Sequence, residues 1–193
     1  MRALFSVVLA VVALGGCSGS GASFKNTDIT GADYGKDFTL TDHTGKTRTL
    51  ADFRGKVLVV FFGYTYCPDV CPTTLADLKI AKEQLGKDGN RLQVVFVTVD
   101  PERDTRALLA NYVQAFDPSF LGLYGDAAGT ARVAKEFKVF YQKVPGKTPG
   151  NYTVDHTAGS YVFDSQGRLR LFVRQGNVPN LVADLKTLLS AKG

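Results

Sequence analysis

The stretch KVLVVFFGYTYCPDVCPTTL, Lys56–Leu75, sets an unbroken apolar run against two cysteines, each followed directly by a proline. A β-strand buried on both faces has no polar side to display, so it loses the usual alternation and becomes continuous Val, Leu and Phe. Lys56–Tyr64 therefore predicts a central strand. Beyond the cysteines, Thr73–Leu85 places Leu75, Leu78, Ile80 and Leu85 near helical period and stops before Gly86, which predicts a helix. LQVVFVTVD, Leu92–Asp100, is a second fully apolar strand. A right-handed crossover makes the two strands parallel.

Working outward, Phe38–Leu50 alternates apolar and polar residues around Gly45 and predicts a hairpin. Asp104 is the expected N-cap of a helix over Thr105–Phe116, and Asp126 that of another through Phe137. A Pro/Gly/Lys-rich loop is expected from Val139 to about Val154. Ser160–Val173 follows as strand, turn and strand, and Asn177 with Pro179 opens a last amphipathic helix through Leu189. This order predicts an α/β domain, a central mixed β-sheet flanked by helices on both faces with an extra N-terminal β-hairpin.

With 193 residues, 45% hydrophobic and no low-complexity tract, the chain suits one domain with a real core. The net charge of +5 is spread rather than gathered in a stripe, so no nucleic-acid partner is expected. Lys135, Lys138, Lys143 and Lys147 form the densest basic stretch, which Pro and Gly break up into a solvated loop. Met1-Arg2 and the apolar run Ala3–Leu14 have the form of a signal peptide over residues 1–16, since the run is shorter than the roughly 20 residues that span a bilayer. Leu14-Gly15-Gly16-Cys17 resembles the lipobox of bacterial lipoproteins, which makes Cys17 the expected lipidation site and the membrane the expected anchor. Residues 17–35, with SGSGAS at Ser18–Ser23, are expected to tether a domain over 36–193 with a reach of roughly 20–25 Å. Such a protein faces the periplasm or another extracytoplasmic side of the cell envelope. There an unprotected dithiol tends to oxidise, so the state of Cys67 and Cys71 depends on redox conditions.

Proline disfavours α conformation in the residue before it, so Pro68 and Pro72 are expected to keep Cys67 and Cys71 out of regular helix. Pro72 is then the first helical residue and Cys71 lies near the N-cap, where the helix dipole lowers a thiol pKa. A permanent disulfide across five residues restricts little unfolded-chain entropy. Thiol–disulfide exchange, with Cys67 and Cys71 as the catalytic pair, is a stronger alternative. The spacing nevertheless departs from the two intervening residues of thioredoxin-type enzymes, and VDHTAGSYVF, Val154–Phe163, has no proline before its strand.

His156, one of two histidines, lies just before a core strand at the same sheet end as Cys67 if the two strands are neighbours. His43, in the TDHTG turn, is expected on the surface. Two thiolates and an imidazole form a soft donor set that suits Cu(I) and accommodates Cu(II). Zinc remains the main rival, with Asp69, Asp155 or water as a fourth ligand.

GYTYCPDVCPTTL (63–75), VDPERDT (99–105) and VDHTAGSYVFDSQG (154–167), in that order, resemble the Sco/SenC family of copper-binding, thioredoxin-fold proteins. The similarity runs from about Lys36 to Ala191 and includes the EFKVFYQKV segment. It implies that Cys67, Cys71 and His156 bind one copper ion, that Asp155 orients the imidazole, and that Asp100 and Asp104 hold the loop structure nearby. Asp69 is either a residue that tunes the cysteine loop or a turn residue. The partner implied is the binuclear copper site of cytochrome c oxidase subunit II, together with other periplasmic copper chaperones. The role implied is copper delivery or cysteine reduction there, with a copper or redox sensor as a third reading. Many members of the family carry histidine directly before the first cysteine, where this chain has Tyr66.

Overall fold

The computed structural model describes residues 23–191, so the expected signal peptide and Cys17 lie outside the described residues. An eight-stranded mixed sheet forms the body. Its strands are β1 (Thr27–Asp28), β2 (Thr39–Asp42), β3 (Thr47–Thr49), β4 (Val57–Gly63), β5 (Leu92–Thr98), β6 (Leu121–Tyr124), β9 (Ser160–Phe163) and β10 (Leu169–Val173), in the order β1-β10-β9-β4-β5-β6-β2-β3. The helices are α1 (Val70–Gln84), α2 (Arg106–Gln114), α3 (Ala127–Glu136) and α4 (Val178–Ser190). Two further strands, β7 (Tyr141–Pro145) and β8 (Tyr152–His156), form a separate hairpin.

β4 and β5 are buried at every position and pair in parallel from Val57↔Leu92 to Gly63↔Thr98, as their unbroken apolar runs predict. β9 closes the other side of β4 in antiparallel register, with Phe61 opposite Ser160. Fully burying one such Phe or Val side chain contributes about 1.5–3 kcal/mol, so this strand trio dominates the core. α1 packs against α4, whose Leu181, Val182, Leu185, Leu188 and Leu189 recur at helical spacing and are all buried. Asp126 caps α3 by accepting from Gly129 N at 2.6 Å, and Asn177 caps α4 by accepting from Asn180 N at 3.0 Å. Among the described residues, no helix is long and apolar enough to cross a membrane.

Several expectations need correction. The α2 N-cap is Thr105, whose side chain accepts from Leu108 N, while Asp104 turns inward. β6 went unforeseen because LGLY is too short to show a period; it fits closely because Gly122 passes Leu109 and Val113 of α2 without a Cβ. The stretch expected as a loop between Val139 and Val154 contains most of the β7–β8 hairpin. The folded part also starts before residue 36. Lys25 N and Asn26 N donate to the buried Asp184 carboxylate at 2.7 and 2.8 Å, and β1 pairs with β10.

His43 is buried rather than on the surface. Its Nδ1 accepts from Gly122 N at 3.1 Å and its backbone N–H donates to Gly122 O at 2.8 Å, which ties the β2–β3 turn to β6. That turn is built on buried Asp42. Burial pushes its carboxyl up, but hydrogen bonds from Thr44 and Arg48 outweigh this and hold it well below the usual carboxylate range.

Candidate metal centre

The C-terminal ends of β4 and β5 carry the chemistry, as open α/β sheets favour. After Gly63 the chain turns through Tyr64–Cys67, where Cys67 N donates to Tyr64 O at 3.2 Å. Buried Asp104 fixes this turn from the adjoining loop: it accepts from Thr65 N at 3.1 Å, Thr65 Oγ1 at 2.6 Å and Thr98 Oγ1 at 2.6 Å. Desolvation raises the Asp104 pKa, and the threonine hydrogen bonds act against that rise.

α1 starts earlier than Pro72 suggested. Asp69 is the N-cap and accepts Thr73 N through its carbonyl at 3.2 Å, so Cys71 and Pro72 both lie in the first turn. Pro72 is tolerated because an N–H in that turn has no intrahelical acceptor to lose. Cys71 is fully buried beneath Gly63, while Cys67 is half-buried, and both are unbridged. A Cβ on Gly63 would stand 2.7 Å from Cys71 Sγ and 2.8 Å from Phe96 Cε2, so only glycine leaves room for the sulfur.

The thiols differ in the opposite sense to the expected one. Hydrogen bonding from the Cys71 thiol, helped by backbone donors at Asp69 and Cys71, brings Cys67 down to about 5 despite its partial burial. Cys71 N points at Cys67 Sγ at 3.4 Å, so the helix start stabilises the first cysteine rather than the second. The Cys71 thiol donates to Cys67 and is buried, and both effects push its pKa well above the usual thiol range.

β8 brings the third donor. Its inward face is Tyr152, Val154 and His156; Thr153 and Asp155 are exposed. His156 Nε2 lies 3.5 Å from Cys71 Sγ, with the ring edge-on to Tyr64 at 5.9 Å and Phe61 at 6.2 Å. Nδ1 lies 3.1 Å from Thr157 O, which orients the ring. Asp155 does not make the expected hydrogen bond to the imidazole: its side chain is exposed, and Thr157 O stands at Nδ1 instead. Together with Pro68 and Asp69, Asp155 rims the opening over Cys67 and His156.

The donor atoms of Cys67, Cys71 and His156 all lie within 4.8 Å of one another, the one such group among the described residues. Bonds of about 2.0–2.3 Å to a common ion place donors about 3.5–4 Å apart, so three donors can close on one ion with small adjustments. Structural zinc usually takes four protein ligands, and among the described residues no fourth joins this cluster. The donor set fits a low-coordinate, thiophilic ion.

Sequence reading missed Gly63, Arg103 and Tyr152. The signal for Gly63 was present, because a glycine ending an apolar strand marks a close approach. Arg103 lies inside VDPERDT, but only folding shows what it touches. Its guanidinium stands over Tyr152 at 3.5 Å, Tyr66 at 4.9 Å and Tyr64 at 5.7 Å. Tyr66, directly before Cys67, is thus one wall of that cluster and is 58% exposed.

The SCO1/SenC family profile matches residues 26–190. The mitochondrial SCO2 homolog of Bos taurus is 43% identical over 133 residues, covering 68% of this chain and 50% of the relative. The chain thus spans about half the length of the curated relatives it matches. Bradyrhizobium japonicum ScoI, solved with copper bound, is 43% identical with a TM-score of 0.74, over 81% of this chain and 99% of that one. The apo Sco1 protein of Thermus thermophilus is 43% identical with a TM-score of 0.77, over 88% and 99% respectively. These structures share the thioredoxin-like arrangement of mixed sheet and helices described above. With the match extending across nearly the whole described domain, the chain belongs to the SCO1/SenC family.

Proposed function

We propose that this protein is a copper metallochaperone whose cargo is one copper ion held by Cys67, Cys71 and His156. The observation that carries this reading is the convergence of two thiols and one imidazole within 4.8 Å at the mouth of the sheet. Thiolates satisfy Cu(I), and the imidazole extends the set to Cu(II). Copper-bound relatives from Bradyrhizobium japonicum and yeast support the choice of ion. The recipient is the binuclear copper site of cytochrome c oxidase subunit II. The lipobox-like segment before Cys17 supports an anchor that holds the domain at the extracytoplasmic membrane surface, within reach of a membrane-bound recipient.

The test is a transfer titration from the copper-loaded full chain to an apo binuclear copper domain, with absorption and metal content followed on both proteins. Copper moving to the acceptor supports delivery, and copper staying on the chain refutes it. His156→Ala is expected to lose Cu(II) binding by more than about 100-fold, since even residues behind a ligand carry 10–100-fold effects. An unchanged Cu(II) spectrum would remove His156 from the site.

A second reading, thiol–disulfide exchange at the recipient's cysteines, is favoured by the thiol asymmetry. Cys67 is a ready thiolate near pH 7, while Cys71 is buried and protonated, an arrangement suited to attack by the first and resolution by the second. Metal-free, reduced protein trapping a mixed disulfide through Cys67 in a Cys71→Ser variant would support it.

A further inference from the structure

We propose that Arg103 is a positioning residue for the metal site: it pins the β7–β8 hairpin to the strand ends that carry the cysteines, and so sets where His156 stands relative to both sulfurs. The hairpin shares no backbone ladder with the main sheet, so its placement depends on side chains. Val154 supplies an apolar anchor at the middle of the inward face of β8. Arg103 supplies the polar anchor at the far end. Its Nη1 donates to Tyr152 O at 2.9 Å, and its plane stacks on the Tyr152 ring at 3.5 Å.

The other side of the latch belongs to the body. Arg103 Nε donates to Asp100 at 2.5 Å, and fully buried Asp100 also accepts from Tyr152 OH at 2.8 Å. One carboxylate thus holds both the arginine and the hairpin tyrosine. Tyr64 and Tyr66, which flank the turn into Cys67, complete the aromatic surround. Arg103 Nη2 is buried without an oxygen partner, so aromatic faces rather than hydrogen bonds offset that part of its desolvation. A strand is stiff and its same-face residues keep register, so a displacement at Tyr152 carries along β8 to His156. Lysine would keep the charge but lose the planar face and the forked donors.

The effect on metal rests on the copper reading, whereas the effect on the hairpin does not. The experiment therefore has two arms, both on the reduced full chain. In the metal-free arm, hydrogen exchange across Tyr141–Thr157 is expected to rise about tenfold in Arg103→Met, with β4 and β5 unchanged. In the second arm, Cu(II) binding is expected to weaken about 10–100-fold while Cu(I) changes less than about threefold, because the thiolates remain in place. Arg103→Lys should recover only part of each effect. Unchanged hairpin exchange in Arg103→Met overturns the proposal. So does increased exchange throughout β4 and β5 with equal loss of both copper states, which marks a general folding role. If the unmodified protein holds no copper, the copper reading fails and the exchange arm still decides the role of Arg103. Should Arg103→Met not fold, Tyr152→Leu removes the hairpin side of the same contact and must reproduce the pattern.

Discussion

The two regions that supply the donor atoms are held by different physics. Cys67 and Cys71 lie on one continuous path from β4 into α1, enclosed by the fully buried strands and tied down by Asp104. His156 arrives on a hairpin whose outer strand is largely exposed and which docks through one inward face. The cysteine half is therefore set by the core, and the histidine half by a few side-chain contacts. Local opening costs least where backbone pairing with the body is absent, so the histidine half should open at lower free energy than the cysteine half.

That contrast is open to direct test. Gly63→Val should have the largest effect, because its side chain has nowhere to go but into Cys71 Sγ and Phe96. Overpacking of this kind costs about 1–3 kcal/mol or more. A chain of this size loses about 2–4 °C in Tm per kcal/mol, which a thermal melt of the reduced protein will read. An unchanged melt would mean that the cysteine half yields as readily as the hairpin. Asp104→Ala should follow, leaving the donors of Thr65 and Thr98 short of an acceptor at about 1–3 kcal/mol and loosening the turn into Cys67.

A smaller effect comes from pH. In the reduced, metal-free protein, alkylation of Cys67 by a haloacetamide should follow an ionisation near 5, with Cys71 unreacted. Between about 5 and the ordinary thiol value of 9.0, the folded state holds Cys67 as thiolate while the unfolded chain keeps it protonated. The unfolded state then binds more protons, so the contribution of Cys67 makes stability rise with pH. Above 9.0, Cys71 stays protonated in the fold after its unfolded counterpart ionises, and its contribution makes stability fall. Urea melts across that range would show a maximum near the upper end, and a flat profile would contradict the thiol asymmetry. The smallest effect belongs to Lys143→Ala, which removes the pair with Glu102 on the exposed side of the hairpin. Neither Tm nor hairpin exchange should move measurably, since exposed ion pairs are screened.

Much of this was legible in the residues. The apolar runs of Lys56–Tyr64 and Leu92–Asp100 mark buried parallel strands because only a strand covered on both faces can be apolar throughout. Cys67, Cys71 and His156 were identifiable as candidate donors because their chemistry is rare and their sequence neighbourhoods resemble one family. The misreadings share a cause. β6 and the β7–β8 hairpin have strands of four or five residues, too short for an alternation to stand out, and their strand character comes from the partners they meet. His43 looked like a turn residue until β6 was placed beside it. Asp155 looked like a natural partner for His156 by adjacency, but its side chain is exposed and Thr157 O stands at Nδ1 instead.

By itself, then, the sequence determined which segments must be buried and which atoms can bind a soft ion, since hydrophobicity and ligand type belong to side chains. Which cysteine is acidic was decided only by tertiary structure, through the Cys71 amide and thiol turned toward Cys67 and the burial of Cys71 under Gly63. The placement of His156 was decided the same way, by its own packing on Tyr64 and Phe61 and by the hold of Arg103 on Tyr152 at the other end of its strand, between residues far apart in the chain. Donor identity is local, whereas donor geometry and thiol ionisation depend on distance, burial and dielectric, which exist only once the chain has folded.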